Sequence, residues 1–235
     1  MEKRLLMLNK MMTSTRRNCP PIKLVIFDLD GTLVDAFPAI ADSINHMLLK
    51  MGYPKQSLRV VKRAVGWGVD SLVNSFVLEK EREEALALFR AHHDVRLRKK
   101  IKVLPGVKAL LPFLRKHGCI LAVASNRPEK FCRIILKAVG LDQYFDHIVC
   151  GDMVKRPKPA PEMVNVILRK SRVQAAEAVF VGDMTVDVAC GRAAGVMTVA
   201  VTTGSCTVKE LKAGKPDVLA RRISDVRKLW HSQKS

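Results

Sequence analysis

Short apolar runs alternate with longer segments of helical periodicity over most of this chain, and this alternation constrains the fold more than any other feature. The apolar runs, interpreted as strands, are 22–28, 119–124, 147–150, 178–182, 198–202 and a weaker 217–220. The segments with helical spacing of apolar residues are 106–117, 128–139, 160–171 and 185–194. Strands that alternate with helices form a mostly parallel sheet covered by helices on both faces. The pattern therefore predicts an α/β fold.

The stretch 36–103 departs from this pattern. It contains no convincing strand and is typical of several consecutive helices, one of which includes "EREEALALFRAHHDVRLRK". The simplest interpretation is an all-helical insert that follows the first strand. We predict three parts: a basic, flexible extension over 1–19, a core built from 20–35 and 104–235, and a helical cap over 36–103.

The composition excludes several classes of protein. With 235 residues, of which 48% are hydrophobic, the chain can bury a substantial core. Its six cysteines form no C-x-x-C pair and have no histidine at zinc-ligand spacing, so we expect reduced thiols in a cytoplasmic protein. No apolar run approaches the roughly 20 residues that span a bilayer, so no membrane association is expected. For the first 19 residues, a frayed tail or a start codon read too early is favoured over a targeting signal.

The net charge of +19 lies largely in the segments 1–17, 96–102 and 221–234. A nucleic-acid surface would interleave such charges with exposed aromatic residues, but only 5% of the chain is aromatic. We therefore expect no nucleic-acid partner. Solvated basic segments that attract an anionic, phosphate-bearing ligand are the favoured interpretation.

Polar residues follow the apolar runs, where ligands bind in sheets of this kind. They are Asp28 and Asp30 after the first run, Ser125, Asn126 and Arg127 after the second, Asp183 and Asp187 after the fourth, and Lys158 within "RPKPAP". Each of these residues alone has a commoner structural explanation, such as a turn or a helix cap. Because they follow several strands in order, they can converge on one crevice. Carboxylates, a hydroxyl, an amide and an ammonium in one place describe a site for a hard cation and a phosphate.

The first of these groups has a specific chemical meaning. Asp28 and Asp30 lie two residues apart at a strand end and so face the same way, while Gly31 and Thr32 make the turn that follows. Two close carboxylates repel each other unless a cation lies between them or one is protonated. With Asp183 they form an oxygen-rich site suited to magnesium. One carboxylate can then attack phosphorus while its neighbour transfers a proton.

Four short motifs occur in order along the chain: "DLDGT" at 28–32, "VAS" at 123–125, "RPKP" at 156–159 and "GDMTVD" at 182–187. In this order they resemble the four motifs of the haloacid dehalogenase-like hydrolase superfamily, and the resemblance extends from about 22 to 220. It implies a Rossmann-like, three-layer core with a helical cap inserted after the first motif. That expectation agrees with the independent interpretation of 36–103.

The resemblance also implies roles for individual residues. Asp28 would be the nucleophile and Asp30 the general acid and base. Mg²⁺ would be held by the side chains of Asp28 and Asp183 and by the main-chain carbonyl of Asp30. Ser125 and Lys158 would bind the phosphoryl oxygens.

Further implications concern the reaction. Asp187 would support Lys158 or the metal shell, and Asn126 is a further candidate for substrate binding. The presence of Asp30 argues against the dehalogenase branch, which lacks this second acid, so hydrolysis of a phosphate monoester is favoured. We expect a small phosphorylated metabolite as the substrate and a monomer or homodimer as the active form.

The segments "DGTLVDAFPAI" and "VGWGVDSLV" resemble the phosphoglycolate phosphatase branch, in which a similar cap loop closes over the site. Gly66 and Gly68 would let the backbone approach the substrate, with Trp67 between them as a third candidate contact. A glycine turn with Trp67 packed inside is an equally good interpretation. Arg63 and Arg127 are candidates to meet a carboxylate or phosphate of the substrate, although a solvated arginine is more usual.

Three alternatives stay open at the level of the sequence. One is the same chemistry on a different phosphate, such as a sugar phosphate, a nucleotide or pyrophosphate. Another is a mutase that resembles β-phosphoglucomutase and returns the phosphoryl group to a sugar. The third is a non-catalytic binding protein, which is disfavoured because every catalytic position carries the required type of residue.

Overall fold

This computed structural model describes residues 21–97 and 101–231, and the predicted extension over 1–19 lies outside the described residues. The strands are β1 (Leu24–Phe27), β2 (Val34–Asp35), β3 (Lys102–Val103), β4 (Ile120–Ser125), β5 (His147–Cys150), β6 (Ala178–Gly182), β7 (Met197–Val201) and β8 (Val218–Ala220). The helices are α1 (Phe37–Lys50), α2 (Leu58–Ala64), α3 (Val69–Asn74), α4 (Arg82–Arg96), α5 (Val107–Lys116), α6 (Glu129–Ala138), α7 (Glu162–Ser171), α8 (Thr185–Ala193), α9 (Val208–Ala213) and α10 (Lys228–His231).

One parallel sheet has the strand order β5-β4-β1-β6-β7-β8, and each of its strands matches a predicted apolar run. The α/β prediction is therefore confirmed. Strand β1 is buried along its whole length between β4 and β6. In the register of these pairs, Phe27 is level with Val123 and Val181. The carboxyl ends of the three central strands thus lie along one edge of the sheet.

The side chains of β1 alternate between two cores because successive residues of a strand face opposite sides of a sheet. Val25 and Phe27 join the larger core, to which helices α5 and α6 contribute. Leu24 and Ile26 join a second core with residues of α7 and α8. Helices therefore cover both faces, which confirms the predicted three-layer arrangement.

Helices α1 to α4, which we call the helical segment, lie between β1 and the rest of the sheet in chain order. Within this segment, α1 packs against α4. A two-residue antiparallel ladder joins β2 and β3 at the two ends of this segment, and pairs Val34 with Val103. The sequence predicted neither β2 nor β3, because two residues are too short to show a period of two, and β3 departs from the expectation that 36–103 contains no strand. The boundaries of the predicted core and cap stay a prediction.

Within the described residues, no helix is long and apolar enough to cross a membrane. Cys119, Cys132, Cys150 and Cys190 are buried free thiols, while Cys19 lies outside the described residues. Burial raises the pKa of Cys119 to about 11 and that of Cys190 to about 12. These two groups are therefore thiols at neutral pH, and a thiol is a poor nucleophile and a poor metal ligand.

Two neighbouring leucines of α1 test how strongly the helical segment depends on the larger core. Leu48 is 1% exposed within that core, whereas Leu49 is 53% exposed. Leu48→Ala should lower the free energy of unfolding by about 2–5 kcal/mol, because it leaves a cavity. Leu49→Ala should change it by less than about 0.5 kcal/mol. Equilibrium denaturation in urea measures both variants, and equal effects would contradict the packing described here.

Candidate active site

Asp28 and Asp30 follow β1 at the edge of the sheet where the central strands end. The backbone N–H of Asp28 donates to the carbonyl of Val181 over 2.9 Å, which continues the ladder with β6 one residue beyond the strand. Gly31 then turns the chain with a positive φ of 85°, a conformation that a residue with a side chain rarely adopts. The predicted strand end and turn are thus present in this segment.

Lys158 is the centre of the site. Its Nζ donates to Asp28 Oδ1 over 2.6 Å, to Asp187 Oδ1 over 2.7 Å and to the carbonyl oxygen of Ala124 over 2.9 Å. An ammonium has three protons, so all of them are used. The Lys158 side chain is only 2% exposed. A charge buried this deeply is tolerated because it is paired and fully hydrogen-bonded.

Burial controls the ionisation of these groups. It raises the pKa of Asp28 to about 7, although Lys158 opposes the increase, and it raises the pKa of Asp183 well above its usual range. Burial alone would lower the pKa of Lys158, but the charges of Asp187 and Asp28 raise it above its usual value. The ammonium therefore stays charged, while the carboxylates need further positive charge to be ionised together.

Asp183 is positioned by two donors that its sequence motif does not indicate. Thr32 Oγ1 donates to Asp183 Oδ1, and the backbone N–H of Ser205 donates to Asp183 Oδ2, both over 3.1 Å. Thr32 was predicted only as part of a turn, and the loop 202–206 was not singled out. That loop follows the fifth apolar run, so the rule that located the other site residues also indicates it. The Ser205 hydroxyl is buried and has no hydrogen-bond partner among the described residues.

The carboxylates are arranged as a site for a hard cation. Oxygens of Asp28, Asp183 and Asp187 lie within 4.8 Å of one another, and all three residues are buried. Glycines make room for them: a Cβ at Gly204 would lie 1.4 Å, and one at Gly31 2.6 Å, from Asp183 Oδ2. The donor set consists of oxygens, which Mg²⁺ prefers. These residues therefore fit the predicted metal.

The carboxylates of Asp30 and Asp187 accept hydrogen bonds within the protein, which limits their part in binding a cation. The Asp187 carboxylate accepts from Lys158 and from the backbone N–H of Met184 over 2.9 Å. The Asp30 side chain turns away from the cluster and toward Arg127. Arg127 Nε donates to Asp30 Oδ2 over 2.6 Å, and Nη2 donates to Oδ1 over 3.1 Å. Arg127 is 7% exposed, so the interpretation of this residue as a solvated arginine was wrong.

Ser125 and Asn126 line the same cavity as Lys158. Ser125 is 3% exposed, and its Oγ accepts from the backbone N–H of Arg127 over 3.3 Å. The Asn126 amide donates from Nδ2 to the carbonyls of Gly66 and Lys158, and its Oδ1 accepts from the backbone N–H of Lys158, each over 2.9 Å. Asn126 therefore connects the helical segment to the loop that carries Lys158.

The glycine loop between α2 and α3 lies over the site. Gly66 and Gly68 both have positive φ and line a cavity together with the catalytic candidates. Trp67 does not line that cavity and is 55% exposed, so the interpretation in which it packs inside was wrong. Arg63 donates to both carboxylate oxygens of Glu210, over 2.9 and 2.6 Å, and so joins α2 to α9.

The same cavity has one charged end and one apolar wall. Asp28, Asp30, Ser125 and Lys158 line the charged end. The apolar wall comes mostly from the helical segment, whose lining side chains are Ile40, Val65, Val69, Leu72 and Phe89, and Val186 of α8 also lines the cavity. A phosphate at the charged end would therefore place the remainder of its molecule against apolar side chains.

Comparisons with known proteins agree with this arrangement. The family model of the haloacid dehalogenase-like hydrolases matches residues 25–201. A phosphoglycolate phosphatase from Pseudomonas fluorescens is 33% identical in an alignment of length 220 that covers 88% of this chain and 78% of that protein. Another, from Cupriavidus necator, is 38% identical over 191 residues, covering 78% of this chain and 82% of that protein.

A solved structure is similar over nearly the same range. The crystal structure of a predicted phosphoglycolate phosphatase from Haemophilus somnus has a TM-score of 0.84 and is 30% identical, covering 89% of this chain and 98% of that one. The resemblance carried by the four motifs is thus confirmed. The chain belongs to the haloacid dehalogenase-like hydrolases.

Proposed function

We propose that this protein is a Mg²⁺-dependent phosphatase that hydrolyses a small phosphate monoester through an aspartyl-phosphate intermediate. The observation that carries the proposal is the buried pair of Asp28 and Lys158, whose charged groups are 2.6 Å apart and which both line the cavity. A carboxylate beside an ammonium is suited to attack a phosphoryl group whose negative charge the ammonium offsets. The relatives named phosphoglycolate phosphatase support the same reaction class.

The residues that hold Mg²⁺ in this proposal are Asp28 and Asp183, through their side chains, and Asp30, through its main-chain carbonyl. When bound, the ion neutralises the carboxylates and the phosphoryl oxygens. Asp187 keeps its place beside Lys158, because both of its oxygens already accept hydrogen bonds within the protein. Ser125 binds a phosphoryl oxygen, and the nearby charge of Lys158, whose three protons bond to Asp28, Asp187 and Ala124, offsets the charge of the phosphoryl group.

The reaction has two steps. A carboxylate oxygen of Asp28 attacks phosphorus, the bond from phosphorus to the ester oxygen breaks, and Asp30, which enters this step as the protonated acid, gives its proton to the leaving alkoxide and becomes a carboxylate. In the second step Asp30 takes a proton from water as the water oxygen attacks the phosphorus of the aspartyl phosphate. The bond from phosphorus to the Asp28 oxygen then breaks, which releases phosphate and restores both carboxyl groups.

The substrate is a small molecule, and 2-phosphoglycolate is the first candidate because relatives carry that name. A specific observation favours a second candidate. The two cationic side chains that line the cavity, Lys158 and Arg127, are both paired with carboxylates. A second anionic group on the substrate thus meets no unpaired cation among the described lining residues. A monoester with an uncharged leaving group fits the apolar wall better.

The nucleophile can be tested by one substitution. Asp28→Asn should lower phosphate release from p-nitrophenyl phosphate by on the order of 10⁴-fold, because no carboxylate remains to attack phosphorus. The fold should persist, since Lys158 keeps its bond to Asp187. Asp35→Asn is the matched control: Asp35 accepts from the backbone N–H of Phe37 and does not line the cavity. Wild-type turnover in Asp28→Asn would refute the mechanism.

Magnesium binding can be measured without turnover. Mg²⁺ at about 100 times its dissociation constant should stabilise the fold by about 2.7 kcal/mol, seen as a rise in Tm. Folding raises the pKa of Asp28 from 3.8 to about 7, so the metal-free protein loses stability as pH rises through this window. The gain from Mg²⁺ should therefore be larger at pH 8 than at pH 6. Asp183→Asn should abolish it, and an undiminished shift in that variant would place the metal elsewhere.

Two esters of similar size separate the candidate substrates. Phosphate release from 2-phosphoglycolate and from ethyl phosphate is compared at equal enzyme and Mg²⁺ concentrations. If Arg127 stays paired with Asp30, it cannot bind the carboxylate of 2-phosphoglycolate. The kcat/KM for ethyl phosphate should then exceed that for 2-phosphoglycolate by about tenfold, which corresponds to about 1.4 kcal/mol. A preference for 2-phosphoglycolate would show that the cavity supplies a partner for the carboxylate and would support the first candidate.

A further inference from the structure

A chain of buried hydrogen bonds connects Asp30 to the helical segment. Beyond its two bonds to Asp30, Arg127 has a third nitrogen, Nη1, which lies 2.9 Å from His93 Nε2. The other ring nitrogen of His93, Nδ1, lies 3.0 Å from Ser43 Oγ. Ser43 Oγ in turn lies 3.0 Å from the carbonyl oxygen of Ala39. The chain therefore runs from the loop after β4 through α4 to α1.

The direction of each bond follows from the chemistry of the groups. A guanidinium only donates, so His93 Nε2 must accept from Arg127. The proton of the neutral ring is then on Nδ1, which donates to Ser43 Oγ, and the Ser43 hydroxyl donates to the carbonyl of Ala39. Burial, and then the charge of Arg127, lower the pKa of His93 to about 2, so the ring stays neutral. These bonds are thus all satisfied together, and Ser43 Oγ also lies 3.3 Å from His92 Nδ1.

Packing prevents the His93 ring from turning. The ring is fully buried, stacks on Phe89 at 4.7 Å between centroids and meets the edge of Phe131 at 5.3 Å. Leucine or phenylalanine would fill this position in the apolar stripe of α4 without any need for partners. A buried polar network that is fully satisfied holds its members in one arrangement, whereas a network that loses one member is destabilising. His93 therefore fixes the plane of the Arg127 guanidinium, and that plane fixes the Asp30 carboxylate.

We propose that Arg127 and His93 are positioning residues for Asp30. This inference rests on the proposed function, in which Asp30 gives a proton to the leaving alkoxide and later takes one from water. Both steps require the carboxylate to point at the reacting oxygen, and a small misplacement lowers the rate strongly. Arg127 holds both Asp30 oxygens, and His93 holds Arg127 from a helix of the inserted segment. The Asp30 carboxylate is thereby held in place by the helical segment as well as by the sheet.

Two substitutions at His93 separate the hydrogen bond from the packing. His93→Phe keeps an aromatic ring between Phe89 and Phe131 but removes the acceptor, which leaves Arg127 Nη1 without its partner. His93→Gln places an amide oxygen where it can accept from Arg127. We expect kcat to fall by about 10- to 100-fold in His93→Phe, with KM changed by less than about threefold, because proton transfer is impaired rather than binding. His93→Gln should recover most of the loss.

A comparison of two leaving groups gives a difference in rate that a general loss of structure would not produce. The p-nitrophenolate ion departs without a proton, whereas an alkoxide needs one from Asp30. The alkyl substrate is 2-phosphoglycolate or ethyl phosphate, whichever the wild type hydrolyses faster. In rapid-quench experiments, His93→Phe should slow formation of the phosphoenzyme from the alkyl ester at least tenfold more than formation from p-nitrophenyl phosphate. Equal slowing with both esters, or no recovery in His93→Gln, would overturn the proposal.

The controls distinguish this proposal from the proposed function. His46→Phe is matched, because His46 is a half-buried histidine on α1 that stacks on His92 and has no bond to Arg127 among those described. It should behave as the wild type. If circular dichroism shows that His93→Phe does not fold, Arg127→Lys replaces it, because lysine keeps the charge but loses the two-pronged contact with Asp30. This variant should show the same selective slowing with the alkyl ester. A wild type that forms no phosphoenzyme would instead refute the proposed function.

Discussion

The ammonium of Lys158 is the constraint on which the rest of the site depends. Asp28 and Asp187 are buried, and two carboxylates that close repel each other strongly where water is excluded. Lys158 lies between them and donates to both. Its three partners meet at one edge of the sheet because Asp28 and Asp187 follow the neighbouring strands β1 and β6, and Ala124 lies on β4, the other neighbour of β1. The strand order, the buried lysine and the acidic cluster therefore form a single arrangement.

The parts of this arrangement that were predicted share one property: their signal is local in the sequence. A central strand buried on both faces is a continuous apolar run, and β1 is one. Asp28 and Asp183 were found because each follows such a run. The Arg127–Asp30 pair was not, because its partners are far apart in sequence and no spacing selects one acid over another. His93 lies in the helical segment "FRAHHD". The sequence pattern there is the same whether the histidine is buried or solvated, so it does not single out His93.

Backbone positions without side chains account for much of the geometry around the acids. At Gly182, an added Cβ would lie 2.3 Å from the Cβ of Asp187, so even a methyl group would displace the partner of Lys158. At Gly66, it would lie 2.3 Å from Met184 Sδ, which joins the glycine loop of the helical segment to the start of α8. The glycine of "GDMTVD" thus serves packing, while its two acids serve the site. A motif therefore predicts which residues meet more reliably than what each one does.

The helical segment contributes to the site in two chemically different ways. Its apolar side chains line the cavity, and its residues His93 and Gly66 bond to polar groups of the core, Arg127 and Asn126. The wall acts on the part of a substrate that varies between esters. The polar bonds act on Asp30 and Lys158, which every phosphate ester would meet. A substitution in the wall should therefore change which ester is preferred, whereas one in the polar bonds should change how fast any ester with an alkoxide leaving group reacts.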